Sequence, residues 1–310
     1  MNIVIPDLKT VTVGDISVDC LNDLGTVTSY SLTPRNLVAE RVKDADIILC
    51  NKAPMCKETI EDAKNLKYIG LFATGYNNID LDYTKQRGIV VCNAADYSTN
   101  AVAQHTFALI LEHFSAVSKY DSFVRKGGWI NSDVFSPIVY PTEELANKTI
   151  GIIGFGSIGR KVADIAKAFN MNVLYYSRSK SNTELETLVR TSDIVTVHCP
   201  LNEQSIHMFN KEMFEKFKPG AFFVNTSRGG TVDEPALKYA LDSGILSGAA
   251  VDVLDEEPMS ASCPLIGAKN LIITPHCAWA AAETRQRLVS IVYNNLKDFL
   301  EGRKPQNMVY

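Results

Sequence analysis

Short apolar runs rich in isoleucine and valine recur along this chain, separated by polar stretches whose apolar residues follow helical spacing. Runs of this kind are expected as buried parallel strands. In the first third they fall near residues 2–5, 46–50, 67–71 and 89–91 and predict a small four-stranded α/β layer. Pro34 stands where a first helical turn tolerates it, behind Thr33 as a candidate cap. Residues 100–120 read as one long helix suited to linking two domains. From Thr149 the alternation resumes, with strands predicted near 149–153, 172–176, 193–197, 221–224, 246–250 and 271–273. Residues 280–302 predict a last long helix, with Leu288, Ile291, Val292, Leu296 and Leu300 on one side, returning the chain to the first layer. The expected division is therefore a discontinuous domain, 1–98 with 286–310, and a second domain, 99–285.

The strand near 149–153 runs into Gly154, Gly156 and Gly159, with Ser157 and Ile158 between the last two, and then into a helical pattern. Strand, G-x-G-x-x-G turn and helix, in that order, form the dinucleotide fingerprint. Gly154 would allow the tight turn, Gly156 the approach of a pyrophosphate, and Gly159 close packing of helix on strand. The helix N-terminus would face the phosphates with free N–H groups and partial positive charge. Glycines also mark ordinary turns, so the weight comes from the six strands around them.

Composition narrows the partners. The chain has 310 residues, 46% hydrophobic and 21% charged, with a formal net charge of −4. No dense Lys/Arg run occurs, which argues against nucleic acid and anionic membrane surfaces. No apolar run approaches a membrane span, and the first residues do not read as a signal peptide. Seven scattered cysteines without a C-x-x-C pair argue against a disulfide framework and a structural zinc site and fit a reducing cytoplasm. His105 and His113 are expected as packing or surface residues, since no third ligand stands at metal spacing; no metal is expected. Residues 125–147, with Gly-Gly, two prolines and several aromatics, read as a projecting arm for an oligomer contact.

In the NAD version of the fingerprint an acidic residue follows the second strand and binds the ribose hydroxyls. Here Ser177 and Arg178 occupy that place. A guanidinium without a carboxylate would accept a 2′-phosphate, so NADPH preference or dual use is expected.

Several loops at strand ends carry candidate chemistry. Phe72 to Asn78 includes Ala73, Thr74 and Gly75 at the carboxyl edge of the first layer, where open parallel sheets bind ligands. In the second domain Arg228 precedes two glycines, Asp252 and Glu257 share an acidic loop ending in Pro258, and His276 follows Thr274-Pro275. Arg228 suits a two-pronged grip on a carboxylate. An arginine, a carboxylate and a histidine on loops at one sheet edge point to chemistry at a bound dinucleotide.

On these motifs the chain resembles the D-isomer-specific 2-hydroxyacid dehydrogenases, over nearly its whole length. The N-x-x-R-G pattern matches Arg228, D-V-x-x-x-E-P matches Glu257 and T-P-H-x-A matches His276. The resemblance implies two doubly wound parallel-sheet domains, a Rossmann-type cofactor domain and a smaller flavodoxin-like substrate domain, with the active site in their cleft. It also implies a homodimer through the arm. It assigns carboxylate binding to Ala73, Thr74 and Gly75, the nicotinamide end to Thr226 and Asp252, and the adenosine side to His198, Cys199 and Pro200. Gln104 departs from a frequent glutamate, and Ser177-Arg178 depart from the acidic residue of NAD-specific members.

The implied reaction is hydride transfer from a reduced nicotinamide to C2 of a 2-keto acid, with His276 protonating the alkoxide. The Glu257 carboxylate would favour the imidazolium, and Arg228 would hold the substrate carboxylate and polarise the carbonyl. Trp279 resembles the hydroxypyruvate reductase (glycerate dehydrogenase) branch, and the short tail leaves no room for a regulatory domain. Hydroxypyruvate or glyoxylate is the first expectation, with D-lactate-type or other D-2-hydroxyacid substrates as the alternative. Two other classes compete: a nucleotide-sensing corepressor-like binding protein, and, far behind, a Cys–His hydrolase.

Overall fold

Two wholly parallel sheets form, one in each of two units of the computed structural model, which describes residues 1–178 and 180–310. The first unit comprises Met1–Ser98 and Ala280–Tyr310, the second Thr99–Trp279.

The sheet of the first unit contains β1 (Asn2–Ile5), β2 (Thr26–Ser29), β3 (Ile47–Cys50), β4 (Tyr68–Leu71) and β5 (Val90–Cys92). Their order is β2-β1-β3-β4-β5, with every pair parallel. This is the flavodoxin-like order. β3 and β4 are buried at every position, which is why they read as unbroken apolar runs.

Two expectations for this unit need correction. The sheet has a fifth strand, β2, whose sequence TVTS is largely exposed at the sheet edge and needs no apolar run. Pro34 stands before the first helical turn rather than inside it, and the Thr33 hydroxyl does not cap the turn but donates to the Pro6 carbonyl at 2.6 Å. The helix Leu81–Gln86 is capped by Asp80, which accepts from the Tyr83 N–H. The C-terminal helix Ala282–Leu300 buries Leu288, Val289, Val292 and Leu296 in this unit. At its start Arg285 grips Asp15 with two bonds of 2.8 and 2.6 Å, and this guanidinium holds the Asp15 carboxyl well below the usual range.

The second unit carries β6 (Thr149–Ile153), β7 (Asn172–Tyr176), β8 (Ile194–Val197), β9 (Ala221–Asn225), β10 (Leu246–Val251) and β11 (Leu271–Ile273). Their order is β11-β10-β9-β8-β6-β7, again all parallel. The chain leaves β6 for β7 on one side and then continues through β8 on the other. The order therefore reverses between β6 and β8, and open α/β sheets bind ligands outside the strand ends at such a point.

Successive strand residues feed opposite faces of this sheet. Phe222 packs with Ile150, Ile152, Phe107, Phe114 and Val162, whereas its neighbour Phe223 packs with Val195, Phe209, Phe214 and Leu237. The expected single helix over 100–120 is two helices, Thr99–Ser115 and Val117–Arg125, broken at Ala116, whose φ is +52°. The first packs on the second sheet through Ala103, Phe107, Ile110 and Phe114. Residues 126–147 hold no regular helix or strand and expose Trp129, Ile130, Phe135 and Ile138, with Phe135 89% exposed. Among the described residues no helix is long and apolar enough to cross a membrane.

Candidate active site

The glycine turn sits at the reversal of the second sheet. Gly154 leaves β6 with φ +93°, a left-handed conformation that L side chains rarely adopt, and its N–H donates to the Tyr176 carbonyl at 2.8 Å. A Cβ on Gly159 would lie 2.1 Å from the Gly154 carbonyl oxygen, so helix Ser157–Ala168 packs as closely as the fingerprint requires. A Cβ on Gly156 would meet nothing within 4 Å, which leaves that backbone open to an incoming group. An open glycine at the start of a long helix suits the pyrophosphate of a dinucleotide. The residues present fit such a cofactor.

Beside the turn, β7 is followed by Ser177 and Arg178 with no carboxylate at that place. Ser177 Oγ donates to the Lys180 carbonyl at 2.6 Å, and the exposed Arg178 donates to Asn202 Oδ1 at 3.2 Å. On the other side, β8 leads into His198, Cys199 and Pro200. The His198 ring lies 3.0 Å from Thr196 Oγ1 and 3.5 Å from Thr226 Oγ1, and burial pushes its pKa down to about 3, so it is neutral. Burial pushes the Cys199 thiol up to about 11.

Arg228 rides on a turn held by Asn225, a fully buried side chain with no role in the sequence reading. Asn225 Oδ1 accepts from the Ser227 N–H and hydroxyl at 3.0 and 2.8 Å, and its Nδ2 donates to the Arg228 carbonyl at 3.0 Å. The signal was present, since asparagine at a strand end folds the following turn onto its own side chain. Arg228 in turn donates to the Ser227 carbonyl at 2.7 Å.

Glu257 and His276 meet directly. His276 Nδ1 donates to Glu257 Oε2 at 2.6 Å, while Glu257 Oε1 accepts from the Leu254 N–H at 3.0 Å. The carboxylate is thus fixed by its own loop and in turn orients the ring, leaving Nε2 as the ring nitrogen without that bond. His276 has φ +52°, a conformation uncommon outside glycine that costs on the order of 1 kcal/mol or more and persists only when its surroundings impose it. Asp252, 1% exposed, imposes it. Its backbone carbonyl accepts from the His276 N–H at 2.7 Å. Its carboxylate accepts from Thr274 Oγ1 at 2.5 Å and from the Cys277 and Ala278 N–H groups, both at 2.9 Å. Thr274 Oγ1 also lies 3.0 Å from His105 Nε2. Trp279, half-buried, closes the same turn.

Ala73, Thr74 and Gly75 belong to the first unit. Thr74 Oγ1 donates to the Ala94 carbonyl at 2.7 Å and the Thr74 carbonyl accepts from Asn93 Nδ2 at 2.8 Å, so the loop is pinned within its own unit. A cavity of about 380 Å³ beside the Glu257 loop, lined by Asp233, Glu234, Asp255, Glu256 and Cys263, takes in none of Arg228, Glu257 and His276.

The family model described as D-isomer specific 2-hydroxyacid dehydrogenase, NAD binding domain, matches residues 107–278. The chain belongs to this family. It is 40% identical over 321 residues to a hydroxypyruvate reductase of Blautia hydrogenotrophica, covering 100% of this chain and 99% of that protein. It is 38% identical to a glycerate dehydrogenase of Methylorubrum extorquens, over 89% of each. Among solved structures, an acyclic imino acid reductase in complex with NADPH and D-Arg superposes with a TM-score of 0.88 at 31% identity, covering 100% of both chains. As a family member the protein is a D-2-hydroxyacid dehydrogenase that uses a nicotinamide cofactor.

Proposed function

We propose that this dehydrogenase reduces hydroxypyruvate and glyoxylate, giving D-glycerate and glycolate. The observation that carries the reading is the 2.6 Å bond between His276 and Glu257, on a turn that Asp252 anchors with four hydrogen bonds from Thr274, His276, Cys277 and Ala278. The relatives whose names contain hydroxypyruvate reductase and glycerate dehydrogenase support the substrate class.

When bound, the reduced nicotinamide supplies a hydride to C2 of the keto acid. Gly154, Gly156, Ser157, Ile158 and Gly159 would hold its pyrophosphate, with Thr226 and Asp252 toward the nicotinamide and His198, Cys199 and Pro200 toward the adenosine. His276 protonates the oxygen that becomes an alkoxide, and Glu257 holds and orients the ring that does so. Arg228 grips the substrate carboxylate and polarises the carbonyl, so that charge developing on oxygen meets a fixed cation. Ala73, Thr74 and Gly75 offer a loop suited to binding a carboxylate, and Trp279 stands beside His276 as a pocket wall.

Arg178, with no carboxylate beside it, supports a preference for NADPH over NADH. The exposed apolar arm supports a homodimer in which a second copy covers residues 125–147. The seven free cysteines are consistent with a cytoplasmic protein. A panel of small 2-keto acids assayed with NADPH and NADH tests the substrate reading. Oxidation of neither cofactor with any keto acid would contradict it.

A further inference from the structure

Behind the His276 turn an imidazole, a carboxylate and a thiol converge from three separate elements of the second unit. His105 comes from helix Thr99–Ser115, Asp252 from the end of β10 and Cys277 from the residue after His276. Their ligand atoms all lie within 4.8 Å of one another, and His105 Nε2 is 3.6 Å from Asp252 Oδ1. A tetrahedral zinc ion with bonds of about 2.0–2.3 Å sets neighbouring ligand atoms about 3.3–3.7 Å apart. The His105–Asp252 spacing already suits that geometry, and the thiol needs a shift on the order of 1 Å. Spacing along the chain did not reveal the set, because its members are far apart in sequence.

The donor set also selects the ion. Imidazole, thiolate and carboxylate together favour a borderline-soft cation of the zinc class over magnesium or calcium, which take oxygen ligands. Two anionic ligands, Asp252 and the Cys277 thiolate, would offset the charge of a dication in a place where Asp252 is buried. Thr274 Oγ1, 3.0 Å from His105 Nε2 and 2.5 Å from Asp252 Oδ1, stands beside the same point and can give way to the ion or join it.

We propose that His105, Asp252 and Cys277 form a binding site for a zinc-class divalent cation, and that occupation of this site inhibits the enzyme. On binding, the Cys277 thiol releases its proton to solvent as the sulfur–metal bond forms, and the imidazole binds through its neutral nitrogen. No electron is transferred. Asp252 Oδ1, which now accepts from Thr274 and the Cys277 N–H, would be drawn to the metal. The turn that holds His276 would lose part of its anchor. The inhibitory half rests on the proposed function, whereas the site itself does not.

The test uses the full chain and cobalt(II), which reports thiolate ligation by a sulfur-to-cobalt charge-transfer band. One equivalent of cobalt is expected to raise the band in the parent, and zinc to abolish it by displacement. Cys277→Ser and His105→Ala, checked by circular dichroism for an unchanged fold, are expected to lose it. No band in the parent, or an undiminished band in Cys277→Ser, overturns the site. Zinc is then expected to lower hydroxypyruvate turnover of the parent at least tenfold, reversibly with a chelator, and to spare Cys277→Ser. Full turnover of the zinc-loaded parent overturns the inhibitory role. The cobalt spectrum needs no turnover, so it reads the site even if the substrate reading fails.

Discussion

Gly229 lies against the backbone of Leu254 so closely that a Cβ on the glycine would come within 1.9 Å of the Leu254 carbonyl carbon and oxygen. The residue after Arg228 therefore touches the loop whose Leu254 N–H holds Glu257. Two of the three catalytic candidates are thus registered to each other through the Gly229–Leu254 backbone contact and the Leu254 N–H bond to the Glu257 carboxylate. Gly229→Ala forces these loops apart and is expected to lower stability by about 1–3 kcal/mol, the usual range for overpacking. Its kcat is expected to fall as well. Urea unfolding and steady-state kinetics on the same preparation check both, and parental values in each would show that the contact does not register the loops.

Glu257→Gln keeps the shape of the side chain but removes the charge opposite His276. Because the carboxylate that accepts from His276 Nδ1 and orients the ring is then lost, kcat is expected to fall by roughly 10–100-fold, within the range of acid–base contributions, with a smaller change in KM. Retention of parental kcat across the pH profile would remove Glu257 from the mechanism.

Arg228→Lys keeps the charge but loses the planar fork. KM for hydroxypyruvate is expected to rise and kcat/KM to fall by roughly 10–100-fold, the cost of one or two charged hydrogen bonds. A kcat/KM within twofold of the parent would rule out a two-pronged grip.

Arg178→Asp places a carboxylate where a 2′-phosphate would sit. NADPH is expected to lose affinity while NADH gains, reversing the ratio of kcat/KM values for the two cofactors. An unchanged ratio would mean that Arg178 is a surface charge without a part in cofactor choice.

Acid stability carries a separate signature. The His113 ring stacks on Phe222 with centroids 4.0 Å apart, and desolvation, with Lys119 adding to it, pushes its pKa down to about 4. An unfolded histidine titrates near ~6.5. Between these values the unfolded chain binds a proton that the folded chain refuses, so stability falls as pH drops from about 6.5 to about 4. His113→Gln is expected to flatten that part of the stability curve. Denaturant midpoints at stepped pH values check this, and parallel curves for parent and variant would refute it.

Much of the molecule was legible because of where its apolar residues are buried. The inner strands of both sheets are covered on both faces, so β3 and β4 each leave an unbroken apolar run and β8 and β9 runs interrupted only by Thr196 and the terminal Asn225. β2 lies largely exposed at an edge and leaves no such mark. The break at Ala116 was hidden because an alanine, not a glycine, takes the left-handed conformation. At the candidate site, Arg228, Glu257 and His276 stood out by residue type at strand ends. What holds them did not. Asn225 at its strand end is the partial exception, whereas Asp252 acts through bonds to the backbone of its neighbours that depend on buried geometry rather than on spacing. The His105–Asp252 approach depends on a contact between a helix and a distant strand end.

His276→Gln removes the group that delivers the proton. Turnover of hydroxypyruvate with saturating NADPH is expected to fall at least ~100-fold, the low end for a positioned acid. The dissociation constant for NADPH, read by fluorescence, should stay near the parental value. Turnover within a few-fold of the parent would contradict the account.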